Sequence, residues 1–162
     1  MRIFSAACAI LISTVAVAEN PPPPPAPGGY GAPISMSDAQ VLVQRAIEQS
    51  KAKGYRMAIA VVEPSGELVA FARMDDAPYG SITLAQQKAR TAARFRMTTL
   101  SAEERVQGGR LVLLSAGDFI TIGGGVPIVV NGRVVGALGV SGATSAEDAA
   151  LAAATVAPNQ DR

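Results

Sequence analysis

The stretch Ile128-Val129-Val130-Asn131-Gly132-Arg133-Val134-Val135 decides the fold class. Two runs rich in β-branched residues flank Asn131-Gly132. That dipeptide suits a two-residue hairpin because both positions accept a positive φ. The sequence therefore predicts a strand over Ile128–Val130 that returns over Arg133–Val140. Gly136 and Gly139 inside the return strand point to close packing against a backbone or a ligand. Upstream, Met57–Val62 is a short apolar run and reads as a buried strand. Glu63-Pro64-Ser65-Gly66 forms a tight turn, since proline fixes φ and glycine accepts φ > 0. Leu68–Met74 then returns as the partner strand. Both connections are hairpins rather than βαβ crossovers, so the sheet is expected to be mainly antiparallel.

The helices surround these hairpins. Ser37, with Gln40 three residues on, marks a first helix that stops at Gly54. Ser81 is expected to cap a second, over Ile82–Arg96, and Ser101 with Glu104 a short third that ends at Gly108-Gly109. Ser145 is expected to cap the last, with Asp148 at its third position and an end before Pro158. Leu111–Leu114 is open between strand and loop, and Phe119–Ile122 is expected to pair at the sheet edge. The order is helix, strand, strand, helix, helix, strand, strand, strand, helix. It predicts an α/β protein of the α+β type, with a central antiparallel sheet of about five strands flanked by helices.

The first residues read as an address. Met1-Arg2 precedes an apolar run, and Ala16-Val17-Ala18 matches the small-x-small site that signal peptidases cleave. The sequence predicts a signal peptide over 1–18, a Pro/Gly-rich linker over 19–33 containing Pro21–Pro25, a domain over 34–158 and a tail over 159–162. The apolar run is shorter than the roughly 20 residues a spanning helix requires, so no membrane insertion is expected after cleavage. The expected compartment is the periplasm, with secretion as the alternative.

Composition removes whole classes of chemistry. The 162 residues contain no His and a single Cys, Cys8, which falls inside the leader. The mature chain then has neither thiol nor imidazole, which excludes thiol, Ser-His-Asp and His-metal catalysis within one subunit. No metal site is read. Loss of Arg2 leaves basic and acidic side chains equal in number at 13, so no nucleic-acid partner is expected. Any acid–base work falls to Asp, Glu, Lys, Arg, Tyr, Ser, Thr or the backbone.

Three local patterns are candidate sites. Gly123-Gly124-Gly125-Val126-Pro127 fits neither phosphate-loop spacing and enters a strand rather than a helix. It reads as a hinge before the strand or as a pocket wall lined by backbone. The second helix carries Lys88, Arg90 and Arg94, and Arg90 and Arg94 share a face as i and i+4. Like charges at that spacing ask for a counter-anion; otherwise the face is simply solvated. Arg73-Met74-Asp75-Asp76 ends a strand and opens a loop, a common place for ligand contacts, with Tyr79 close behind. Two carboxylates there can also hold a hard cation.

AIAVVEPSGELVAFARMDDA (58–77), SITLAQQKARTAA (81–93) and GGGVPIVVNGRVVGALGVSGATSAEDAALAAA (123–154) together resemble the GlcG/HbpS-like family, in that family's order. The resemblance implies a profilin-like or PAS-like arrangement of an antiparallel sheet and flanking helices. It implies homo-oligomers, from dimers up to octamers. It also implies haem as a possible cofactor, since family members bind or degrade haem, while others are domains attached to corrinoid adenosyltransferases. Arg73, Lys88, Arg90 and the Gly123–Pro127 turn lie in the matching motifs and carry over as pocket candidates, with Pro127 at the turn's end.

Three functions stay open on these grounds. The first is an exported binder of a small molecule, haem or a related tetrapyrrole, using Arg73, Asp75, Tyr79, Lys88, Arg90, Gly123, Gly124, Gly125 and Pro127. The second is an enzyme acting on a small organic acid, with Lys88 or Asp75 as acid–base and Arg90 as a carboxylate clamp. The third is a regulatory or structural partner without a ligand.

Overall fold

The strand Ala58–Val62 (β1) alternates in what it buries, and the layers follow from it. Its Ile59 and Val61 face one apolar cluster, while Ala58, Ala60 and Val62 face another. A strand buried on both faces needs a layer on each side. The structure, a computed structural model that describes residues 28–157, supplies both.

Its elements are α1 (Met36–Ala52), β1, β2 (Leu68–Arg73), α2 (Tyr79–Phe95), α3 (Thr99–Gln107), a short 3₁₀ helix (Leu111–Ser115), β3 (Gly125–Val130), β4 (Arg133–Ser141) and α4 (Ser145–Val156). The sheet has the order β2-β1-β4-β3, with every pair antiparallel. Leu42, Val43 and Ala46 of α1 and Leu151, Ala152 and Val156 of α4 cover the Ile59 face. Ala85, Ala89, Ala92 and Ala93 of α2 cover the Ala60 face. Pro127 sits in β3, at the sheet edge, where a missing N–H does least harm.

The antiparallel hairpins are present as expected, but the sheet has four strands rather than about five. Phe119–Ile122 forms no strand. The Ile120 N–H is taken by Thr91 Oγ1 of α2, at 3.0 Å, instead of by a neighbouring strand. Leu111–Leu114 is the 3₁₀ helix. A fifth segment does pair with the sheet, and it comes from the N-terminal side. β1 reaches only as far as Val62, opposite Ala137, which leaves the first residues of β4 free on that side. The arm 28–34 lies there: N–H groups of Gly28, Gly31 and Ile34 donate to Gly132, Val134 and Val135 at 2.8–2.9 Å.

The helix starts also differ from expectation, for one shared reason. The caps are Ser35, Thr98 and Thr144, not Ser37, Ser101 and Ser145. Where hydroxyl residues come in clusters, the cap is the earlier one, still in extended backbone, and the later one falls inside the first turn. Thr144 completes a capping box with Glu147. α2 starts at Tyr79 after Pro78, without a side-chain cap, and Ser81 is buried in its first turn.

The α2 layer lies very close to the sheet. Gly125 and Gly139 are direct partners across β3 and β4, and Ala60 continues that row. A Cβ on Gly139 would run into the Ala85 carbonyl oxygen and lie 2.6 Å from the Ala89 nitrogen. One on Gly125 would strike the Lys88 carbonyl. The helix backbone cannot yield as a flexible side chain would. Overpacking costs about 1–3 kcal/mol where neighbours can shift, and more where they cannot. Gly139→Val is therefore expected to cost at least about 3 kcal/mol. Thermal unfolding of the purified variant checks this, and an unchanged melting temperature would contradict the close approach.

Candidate functional site

Asp75 and Asp76 follow β2 directly, where the chain leaves the sheet for α2. Asp76 takes the left-handed backbone, φ 62°, that aspartate tolerates better than most residues. The turn brings the end of β2 beside the last turn of α1 and the approach to β1. Together they enclose an open cleft of about 500 Å³. Ile47 and Met74 give it apolar surface, Lys51, Arg56 and Arg73 give it positive charge, and Asp75 and Asp76 stand on the same lining. Tyr79, 82% exposed at the start of α2, lies next to Arg73, whose guanidinium carbon is 5.3 Å from the ring centre. Among the described residues no cluster of metal-ligating side chains forms, at Asp75-Asp76 or elsewhere.

Lys88 lies in a different place. Its side chain is 1% exposed and Nζ is 2.8 Å from Asp148 Oδ2, itself on a 2%-exposed side chain of α4. The ammonium also donates to the Val140 carbonyl at 3.1 Å and to Ser141 Oγ at 3.4 Å. Asp148 Oδ1 accepts the Ala143 N–H at 3.0 Å. Every polar atom of the pair thus has a partner, as burial demands. A solvent-borne substrate does not reach this ammonium, so Lys88 is not placed for open acid–base work, and it lines no part of the Arg73 cleft.

The glycine triplet belongs with Lys88. Gly124, at φ 124°, would bring a Cβ to 3.0 Å from Lys88 Nζ and 2.9 Å from Asp148 Cβ. The Gly123 N–H is shared by Glu103 Oε2 and Ser145 Oγ, each at 2.8 Å, and Ser145 Oγ in turn donates to Glu103. The Gly125 N–H goes to Thr99 Oγ1 at 2.8 Å. The triplet therefore packs against a buried ion pair and is bonded into α3 and α4; all three glycines are buried.

The arginines of α2 turn the other way. Arg90 Nε donates to the Gly66 carbonyl at 3.2 Å, and Arg94 Nε to the Ser65 carbonyl at 2.6 Å. Arg94 also pairs with Asp118 at 3.3 Å and Glu67 at 3.7 Å. The counter-anion that the i, i+4 spacing asked for is thus the β1–β2 turn, through its carbonyls, helped by two exposed carboxylates. Arg90 does not meet Arg73, Asp75 or Tyr79.

The candidates read from sequence thus separate. Arg73 and Asp75 line the cleft, with the Tyr79 ring beside Arg73. Lys88, Gly123, Gly124 and Gly125 gather at the buried pair, Pro127 lies in edge strand β3, and Arg90 serves the turn. Sequence reading missed Lys51 and Arg56 in the cleft, and Asp148, Glu103 and Thr99 around the pair. Asp148 had a signal. It shares the buried stripe of α4 with Leu151, Ala152 and Thr155, at i, i+3, i+4 and i+7. An acid in such a stripe needs a buried cation or donor.

With this geometry in view, the comparisons decide the family. The model for HbpS-like proteins, described as haem-degrading, matches residues 34–157. This chain belongs to the HbpS-like family. Protein GlcG of Escherichia coli (strain K12) is 39% identical over 108 residues, covering 67% of this chain and 81% of GlcG. The crystal structure of Klebsiella pneumoniae protein ORFY superposes with a TM-score of 0.73 at 27% identity, over 80% of this chain and 92% of that one. The structure of a PduOC–haem complex does so with a TM-score of 0.70 at 28% identity, over 78% and 94%. The HbpS-like fold expected from the motifs is therefore present, including helices on both sides of an antiparallel sheet.

Two outcomes test the buried pair. Removing one partner of a buried ion pair leaves a desolvated charge, at a cost of about 3–5 kcal/mol, while replacing both is often close to neutral. Lys88→Met is expected to cost about that much in urea unfolding. The double variant Lys88→Met/Asp148→Leu is expected to recover most of the loss, though the Ala143 N–H stays unpaired. Equal losses in the two would contradict an ion pair. Second, burial pushes the Asp148 carboxyl above the ordinary 3.8, against the pull of the Lys88 ammonium. Folding then tightens proton binding, so the contribution of this group is full below pH 3.8 and falls as pH rises through its native value. The side-chain carboxyl carbon of Asp148 should titrate above 3.8 by NMR. A midpoint below it would put the ion pair ahead of desolvation.

Proposed function

We propose that this HbpS-like protein is an exported small-ligand binder, that its favoured ligand is haem or a related tetrapyrrole, and that the ligand sits in the cleft at Arg73. The observation that carries this reading is the likeness, over nearly the whole length of that chain, to a protein solved with haem. The cleft adds chemical support. Its volume, about 500 Å³, lies in the ~300–1,000 Å³ range of small-molecule sites. A flat, apolar, anionic ligand needs apolar surface and cations together, and Ile47, Met74 and Arg73 present both.

The chain has no imidazole to offer an iron. The donors near Arg73 are the Met74 thioether and the Tyr79 phenol, both of which serve as axial haem ligands in other proteins. The donor set is therefore compatible with the group. When bound, haem supplies the iron chemistry; the protein's own part is to bind, to orient and to exclude water from one face. Arg73 is held for this by its contact with the Tyr79 ring, which restrains a long side chain before the ligand arrives.

Self-association forms part of the proposal. Leu111, Val112 and Leu114 are 62%, 68% and 61% exposed on the 3₁₀ helix. Contiguous exposed apolar surface of this kind favours a partner surface over water. Export is supported by the leader-like first residues. Among the described residues no helix is long and apolar enough to cross a membrane.

The test is a hemin titration of the chain starting at Glu19, recovered from the periplasmic fraction and carrying no histidine tag, which would restore the missing imidazole. A saturable, shifted Soret band at about one haem per subunit or per dimer is expected. Arg73→Ala should raise the dissociation constant roughly tenfold, the size of one charge-assisted hydrogen bond. A featureless spectrum of loosely associated hemin would defeat the reading.

A further inference from the structure

The cleft at Arg73 holds more positive charge than its surroundings use. Lys51 comes from the last turn of α1, Arg56 from the residues before β1, and Arg73 from the end of β2, so three separate parts of the chain send a cation to one place. Asp75 and Asp76 line the same cleft. Among the described residues none of the three cations forms an ion pair with either. Ion pairs within 4.0 Å such as Lys88–Asp148, Arg94–Glu67 and Arg94–Asp118 lie elsewhere.

Two of the cations are already restrained. Arg56 Nη1 donates to the Tyr55 carbonyl at 3.3 Å, and the Arg73 guanidinium rests near the Tyr79 ring. Neither contact neutralises charge, and neither uses all five donors of a guanidinium. Two restrained guanidiniums present forks that match carboxylates in a bidentate manner, and Lys51 adds a compact third charge. The apolar surface of Ile47 and Met74 lies within the same lining. A ligand with an apolar body and carboxylate side chains meets both demands.

We infer that Lys51, Arg56 and Arg73 form a clamp for the carboxylate side chains of the ligand, so that the protein selects tetrapyrroles carrying free carboxylates. This rests on the binder reading above. Asp75 and Asp76 supply the repulsive half of the specificity: they disfavour any pose that points carboxylates toward the loop.

The experiment compares hemin with hemin dimethyl ester, in which both carboxylates are blocked, on the untagged wild-type chain. The ester is expected to bind at least about tenfold more weakly, the worth of one lost charge-assisted hydrogen bond or more. Lys51→Gln, Arg56→Gln and Arg73→Gln should each weaken hemin by about tenfold, and the triple variant should bind hemin and ester alike. Saturable binding of hemin and ester with equal affinity by wild type would overturn the clamp while leaving the binder intact. So would a triple variant that keeps the preference. Saturable binding of neither would remove both. Lys51, Arg56 and Arg73 are exposed, and the wild-type comparison of the two ligands needs no variant to fold.

Discussion

Backbone lies on backbone where α2 crosses the sheet, and most of the structure depends on it. Gly125 and Gly139 face each other across β3 and β4, with Ala60 of β1 beside them. This row leaves a trough into which the alanines of α2 settle. With a larger residue at either glycine the helix would ride higher and the Ala-on-Ala cluster would lose its contacts. The two faces of the sheet are thus built by different rules. The α1/α4 side is filled by Leu, Ile, Val and Met side chains, while the α2 side is closed by proximity. A face closed by proximity tolerates little change in volume, because most of its buried side chains are alanines with nothing to repack.

The same closeness explains the buried lysine. Once α2 is drawn down, the middle of the helix comes level with the end of the sheet, and Lys88 has no route to water. Its ammonium meets the carbonyl of Val140, the hydroxyl of Ser141 and Asp148 of α4, a helix that packs on the opposite face. The pair therefore joins the two helical layers around the end of β3 and β4. Gly124 leaves space beside it, and Gly123 and Gly125 are fastened by Glu103, Ser145 and Thr99. A run that reads in the sequence as a hinge or a backbone-lined pocket wall is packed against the protein's own side chains. A buried pair of this type adds little net stability over apolar residues, but it fixes which groups must meet.

What the sequence made legible followed from local chemistry. Asn131-Gly132 and the Pro64-Gly66 turn placed both hairpins, and the unbroken apolar run of β1 marked a buried strand. The matching motifs reached from there to the family. What stayed hidden depended on distance in the chain. Phe119–Ile122 has the composition of a strand, yet its N–H groups at Phe119 and Ile120 go to Ala116 and to Thr91 of α2, and a strand needs a neighbour with a free edge. The arm 28–34 looks like linker because it is rich in Gly and Pro, yet β4 outruns β1 and leaves N–H and C=O groups that the arm satisfies. At the cleft, Arg73, Asp75 and Tyr79 are close in sequence, and the chain keeps them close in space. Lys51 and Arg56 reach the cleft from other elements, and no local pattern names them.

The arginines show why charge has to be read from structure. In the sequence, Arg90 and Arg94 look like a like-charge pair that asks for a counter-anion or a solvated face, and Arg73 reads as a candidate ligand contact at a strand end. In the structure Arg90 and Arg94 cap the carbonyls of the β1–β2 turn, while Arg96 and Arg133 hold the arm through Gly28 and Tyr30. These guanidiniums are spent on backbone oxygens that strands and turns leave unpaired, a task suited to a planar group with several donors. The β1–β2 hairpin thus has one end tied down by arginine and one end where arginine stays available. Lys51, Arg56 and Arg73 stand at that second end, beside carboxylates they do not pair with, and charge that the fold does not use is charge that a ligand can.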